Sequence, residues 1–133
     1  MNPVTVNFLE ELCDAVRLPL EKGFFSKNYT TSDKSAKPYE RNQVTSLDLE
    51  TQRILEEIIL KNGFSASQIF SEEKTHHPSK IPDRFWLIDP IDGTHAFIDG
   101  IPEFAVSIAY LEFGKPVAGA IYNPVHKRLI CGT

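Results

Sequence analysis

Cysteine is nearly absent from this chain of 133 residues: there are two, Cys13 and Cys131, near opposite ends. They read as reduced core or surface thiols of a cytoplasmic protein, not as a disulfide frame. Long apolar runs are missing as well. None approaches the roughly 20 residues that a spanning helix needs. The N-terminal Met1-Asn2-Pro3-Val4-Thr5 lacks the charged-then-apolar order of a secretory signal. There is no strong basic run and the net charge is −4. Neither a nucleic-acid duplex nor an anionic membrane is therefore expected as a partner. No internal repeat, low-complexity tract, phosphate-binding P-loop, dinucleotide fingerprint or Ser-His-Asp order occurs. His76 and His77 have no cysteine partners at zinc spacing and read as loop residues; His126 reads as a turn residue.

What is present is ordinary globular material, 41% hydrophobic and 24% charged, enough for one domain over 1–133 and not for two. Leu9, Leu12, Val16 and Leu20 recur at helical spacing and predict a helix over 4–18, which Pro19 kinks or ends, with a second helix continuing through Phe24. The polar stretch 26–43 predicts a long mobile loop, a length often associated with lids or binding loops. A second helix is expected over 46–61, with Leu47, Ile54, Leu55, Ile58 and Ile59 as its stripe. Thr45 suits its N-cap, Asp48 an approximate capping box, and Gly63 its C-terminal stop. Strands are expected over 85–89, 104–111, 117–122 and 128–131. The later ones form an antiparallel meander that two helices can cover, an α+β arrangement.

The densest chemical signal is Trp86-Leu87-Ile88-Asp89-Pro90-Ile91-Asp92-Gly93-Thr94. An apolar strand runs into two carboxylates. At about 4 Å such a pair repels by roughly 4 kcal/mol at an effective dielectric near 20. A divalent cation between them reverses that sign, and all-oxygen ligands favour Mg²⁺. Pro90 biases Asp89 toward an extended backbone, and Gly93 permits a tight turn beside a ligand. The amides of Gly93, Thr94 and His95 suit a phosphate if a helix starts there. An Asp-Gly turn explains Asp92-Gly93 equally well, but gives Asp89 and Thr94 no role. Thr94 reads either as a helix N-cap or as a hydroxyl that holds water with Asp48 as acceptor. Asp48 reads equally as a cap. Glu72 and Glu73 alone read as a solvated turn; Asp89 and Asp92 downstream give them a second reading as ligands.

The run Asp89-Pro90-Ile91-Asp92-Gly93-Thr94 with Phe97 resembles the signature of the inositol monophosphatase family, Mg²⁺-dependent, lithium-sensitive phosphatases. Val44-Thr45 with Asp48, Ser71-Glu72-Glu73, and the hairpin from Glu103-Phe104 to Tyr122 with Gly114-Lys115-Pro116 and Gly119 resemble other family elements in the same order. The resemblance implies the N-terminal half of a layered α/β/α/β/α sandwich. It implies that Glu72, Asp89 and the Ile91 carbonyl hold one Mg²⁺ and that Asp89 and Asp92 share a second. Gly93, Thr94 and His95 line the phosphate site together with Glu72. Glu72 and Thr94 are associated with the attacking water, and Asp48 with orienting Thr94. Two such cations polarise a phosphate ester, raise the nucleophilicity of water near neutral pH and stabilise the leaving oxygen.

The implied substrate is a small phosphorylated metabolite, an inositol phosphate or a 3′(2′),5′-bisphosphate nucleotide. Ser71 in place of glycine, the Glu103-Phe104 pair and Gly114-Lys115-Pro116 resemble the nucleotidase branch more, which puts a bisphosphate nucleotide first, whereas Ala96-Phe97-Ile98 also resembles histidinol-phosphatase-like members. The family's second half carries a Trp-Asp motif that completes the second metal site, and nothing here matches it. The chain is thus expected to be a C-terminally truncated domain. It acts as a phosphomonoesterase, or is an inactive remnant or one half of a split enzyme that binds metal weakly and acts only with a C-terminal partner. A homodimer is the other expected assembly.

Overall fold

The computed structural model describes residues 3–33, 43–73 and 78–133. Helix α1 spans Val6–Ser26 and opens on Thr5, whose side chain accepts from the Phe8 amide. A short antiparallel pair follows, β1 (Thr31–Asp33) with β2 (Gln43–Thr45). Helix α2 spans Ser46–Lys61. A 3-10 turn, Ala66–Gln68, leads to β3 (Ile69–Ser71) and β4 (Arg84–Asp92). Helix α3 is one short turn, Thr94–Ile98. Strands β5 (Ala105–Glu112), β6 (Lys115–Asn123) and β7 (Arg128–Gly132) complete the main sheet. Its order is β3-β4-β5-β6-β7, antiparallel throughout except for the parallel β3–β4 pair.

Three expectations need correction. Pro19 does not end the first helix, which runs on through it to Ser26. Proline costs a helix interior about 3 kcal/mol. Leu20 and Phe24 beyond it are buried, and each fully buried side chain of this size returns roughly 1.5–3 kcal/mol. Burial therefore wins. The helix ends instead at Lys27, in the left-handed conformation, whose N–H donates to the Gly23 carbonyl. Second, the stretch 26–43 is not all loop, because Ser26 is helical and residues 31–33 and 43 are strand; residues 34–42 lie outside the described residues. Third, among the described residues one short helix, α3, is added to the two long ones that cover the sheet. The meander, and α2 from Ser46 to Lys61 with its Thr45–Asp48 capping box, are as expected.

Both long helices lie on one face of the main sheet. Trp86 and Ile88 of β4, Val106, Ile108 and Tyr110 of β5, and Ala118, Ala120 and Tyr122 of β6 point into that layer and are buried. Trp86 packs edge-on against Phe8 and Phe64, at 5.8 and 5.4 Å between ring centres. Gly23 is where α1 meets α2: a Cβ there would collide with Leu47 Cδ1. A second aromatic group of Phe24, Phe97 and Phe104 pins α3 beneath the end of α1, with Phe97 and Phe104 ring centres 4.9 Å apart. That anchor fixes the turn before α3, where the acidic motif ends.

Candidate active site

The site is assembled from four segments. The first is the start of α2. Asp48 is fully buried. Its Oδ2 accepts from the Thr45 amide at 2.7 Å and the Thr45 hydroxyl at 2.6 Å, while the Asp48 amide donates back to Thr45 Oγ1 at 3.2 Å. Its other oxygen, Oδ1, accepts from the Thr94 hydroxyl at 3.1 Å. One carboxylate oxygen thus serves the α2 cap and the other accepts from Thr94. Thr45 is the residue that sequence reasoning assigned only to capping, yet it holds Asp48 in line with Thr94.

The second segment is the end of β4. The strand continues past Asp89 to Asp92, and its register with β5 shifts between those two residues. Such an irregularity tolerates Pro90, which has no N–H to give a ladder. The Ile91 carbonyl accepts from Thr94 Oγ1 at 3.0 Å. The hydroxyl has one proton and two acceptors, so it is shared between Ile91 and Asp48.

Third comes the turn into α3. Gly93 is its N-cap, at φ +88°, and no side chain caps the helix. Thr94 is therefore not the N-cap; its hydroxyl points back to Asp48. A Cβ on Gly93 would sit 3.0 Å from the Glu103 carbonyl oxygen, so this backbone requires glycine on both counts. His95 is half-buried in α3, and its Nε2 is buried without a partner. His126 is exposed in a turn, as expected, 3.4 Å from Glu103. His76 and His77 lie outside the described residues.

The fourth segment brings the acids together. Parallel pairing sets Ser71 beside Ile88, and the Glu72 amide reaches the Ile88 carbonyl at 3.4 Å. That register delivers Glu72 to Asp89, and their side chains are hydrogen-bonded. Burial pushes the Asp89 carboxyl up to about 7, and the Glu72 charge, that hydrogen bond and the Asp92 and Glu73 charges add to the rise. Asp89 Oδ1 is buried and has no hydrogen-bond partner. Asp92 is exposed at the strand end. Among the described residues no three His, Cys, Asp or Glu side chains form a ready-made metal cage. Glu72 and Asp89 meet directly; Asp92 acts on Asp89 through its charge.

Beside this pair lies a cavity of about 440 Å³ lined by Phe70, Ser71, Glu72, Leu87, Asp89 and Ser107, among others. It opens on the sheet face opposite the helices.

A sequence profile of the Inositol monophosphatase family matches residues 3–133. The chain belongs to that family. A fructose-1,6-bisphosphatase/inositol-1-monophosphatase of Thermotoga maritima is 41% identical over 81 residues, 61% of this chain and 30% of that protein. The Nus factor SuhB of Escherichia coli is 32% identical over 122 residues, 90% of this chain and 45% of that protein. Among solved structures, an IMPase of Thermotoga maritima superposes with TM-score 0.80 at 30% identity, over 96% of this chain and 47% of the other. The extragenic suppressor protein suhB of Bartonella henselae gives TM-score 0.80 at 28% identity, over 95% and 47%. The chain spans about half the length of these relatives. Metal dependence is a property of the family, and the donor set here fits it. The buried, unpartnered Asp89 oxygen and the Glu72 carboxyl hydrogen-bonded to Asp89 are hard oxygen donors gathered against their own repulsion. No helix of the described chain is long and apolar enough to cross a membrane.

Proposed function

We propose that this domain is the first half of a metal-dependent phosphomonoesterase for a small phosphorylated metabolite, with Mg²⁺ as cofactor. The observation that carries the reading is the Glu72–Asp89 carboxyl pair with its buried unpartnered oxygen, with Gly93 and Thr94 following Asp89 by four and five residues. Glu72, Asp89 and the Ile91 carbonyl are the ligands for one cation, and Asp89 and Asp92 contribute to a second. Bound there, the cations supply Lewis-acid stabilisation of phosphoryl oxygens and a more nucleophilic water. The chain's own residues do the rest. Gly93 lets the backbone approach a phosphate closely, with the amides of Thr94 and His95 beside it. The Thr94 hydroxyl gives its proton toward Asp48, which leaves its oxygen lone pairs to accept from a water. We assign to Glu72 the role of taking a proton from that water. Inositol monophosphate is the substrate we test first: one relative is named fructose-1,6-bisphosphatase/inositol-1-monophosphatase, and a staphylococcal IMPase at 25% identity was solved complexed with products.

Phosphate release from inositol monophosphate and from a 3′,5′-bisphosphate nucleotide, each with and without Mg²⁺, tests the reading. Metal-dependent turnover lost in Asp89→Ala supports it. Folded protein that neither binds Mg²⁺ by calorimetry nor turns over either ester rejects it.

One observation favours a second reading, in which the chain acts only when another half covers it. On the face opposite the helices, register aligns Asp89, Ser107, Ile121 and Ile130 across four strands. Ile121 and Ile130 are 55% and 75% exposed, and Leu87 on the same face is 50% exposed. A solvated sheet face normally alternates to polar residues. This reading expects no turnover by the chain alone and turnover on adding a C-terminal half. A homodimer through the same face is the competing outcome, read by light scattering.

A further inference from the structure

The two cysteines that the sequence sets far apart are brought together by the fold. Register across the main sheet aligns Ile88, Ile108, Ala120 and Cys131 in one row. The first three are buried under the helices, so Cys131 of β7 faces the same layer. Cys13 lies on the buried face of α1, in the core against which Cys131 packs. Small side chains at Ala118 and Ala120 let α1 settle close to this end of the sheet, and Cα atoms of α1 and β7 come within 8 Å of each other. Disulfides need Cα separations of about 4.4–6.8 Å. Both thiols are free.

We propose that Cys13 and Cys131 are an oxidisable dithiol, a modification site that reversibly ties the N-terminal helix to the edge strand β7. The oxidant is a low-molecular-weight disulfide such as glutathione disulfide. The half-exposed Cys131, as thiolate, attacks one sulfur of that disulfide and releases one thiol, leaving a mixed disulfide. Cys13 gives up its proton and attacks the Cys131 sulfur, expelling the second thiol. The balance is two protein thiols and one small disulfide going to one protein disulfide and two small thiols. Burial, then Cys131, then Glu10 raise the free Cys13 thiol to about 12, which keeps Cys13 protonated before the first step. Cys131, the reachable thiol, reacts first.

The test incubates the full chain with glutathione disulfide under native conditions, then maps peptides without reduction after alkylation. The expected product is a Cys13–Cys131 link within one chain, with two thiols lost, reversed by dithiothreitol. Cys13→Ala should stop at the Cys131 glutathione adduct. A wild-type reaction that also stops at that adduct, or that links only separate chains, overturns the proposal. A circular dichroism melt of each variant confirms that it is folded.

Discussion

Thr94 Oγ1 and Asp48 Oδ1 lie 3.1 Å apart across 46 residues of sequence, joining the first turn of α2 to the turn that ends the acidic motif. Asp48 is buried, and the same carboxylate holds the Thr45 amide and hydroxyl. Replacing Thr94 by Val keeps the shape and removes one donor, at a cost of about 1 kcal/mol. Asp48→Asn also disturbs the α2 cap and should cost roughly 1–3 kcal/mol. The two should couple by at least about 0.5 kcal/mol in a double-mutant cycle read by urea unfolding. Strict additivity would mean that the hydrogen bond contributes nothing.

Asp89 is held against its own electrostatics. Its carboxyl sits at about 7 in the folded chain, and ordinary aspartate is near 3.8. Below about pH 4 the group is protonated in both states and adds no pH dependence. Between about 4 and 7 the folded chain keeps a proton that the unfolded chain has lost, so this group's contribution to stability declines as pH rises. Above 7 the decline stops. Asp89→Asn should flatten that slope and raise the melting temperature at pH 8 while abolishing Mg²⁺ binding. A variant no more stable than the parent at pH 8 would show that burial and the neighbouring Glu72 and Asp92 charges do not strain it.

The same proton competes with a cation. Below pH 7, Mg²⁺ binding should release up to one proton from Asp89, and affinity should rise toward tenfold per pH unit before levelling above 7. Calorimetry in two buffers of different ionisation enthalpy measures this release. A binding enthalpy independent of buffer at pH 6 would place the metal elsewhere.

What could be read in advance follows from how local each determinant is. Helix α2 was legible to the residue because its signals are neighbours: Thr45 and Asp48 form the cap, Leu55 and Ile59 the stripe, and Gly63 the stop. The run from Asp89 to Thr94 was legible because its chemistry is contiguous. The meeting of Glu72 with Asp89 depends on the parallel β3–β4 register, which three residues of β3 do not announce. The pairing of β1 with β2 was missed for the same reason: each has three residues and no alternation to read. Pro19 misled because a local rule competed with burial of Leu20 and Phe24 that only the tertiary structure reveals. Asp48 looked like a choice between two roles because a sequence does not show that its two oxygens face different partners.

Pro19 supplies a stability test. The helix crosses it without an N–H at that position, leaving the carbonyl one turn earlier short of a helical partner. Pro19→Ala should restore that bond and stabilise the chain by about 1–3 kcal/mol in urea. Proline's restriction of the unfolded chain offsets part of the gain. No gain would mean that the half-buried ring packs well enough to compensate.

Gly93 is the sharpest test of the turn that separates the acids from Thr94. Its φ of +88° is outside the range that L side chains adopt easily, and a Cβ would press to 3.0 Å from the Glu103 carbonyl oxygen, a backbone atom. The Glu103 segment cannot swing aside freely, because Phe104 beside it is locked against Phe97 and Phe24. Gly93→Ala should therefore cost roughly 1–3 kcal/mol and displace the start of α3. The Thr94 hydroxyl would then lose its line to Asp48, and any phosphate bound at the turn would bind at least tenfold more weakly. The control is Gly114→Ala, also at positive φ (+76°) but with open space around it. It should show backbone strain alone, with phosphate and Mg²⁺ binding unchanged. Equal losses of binding in the two variants would assign the effect to global stability and not to the geometry of the turn.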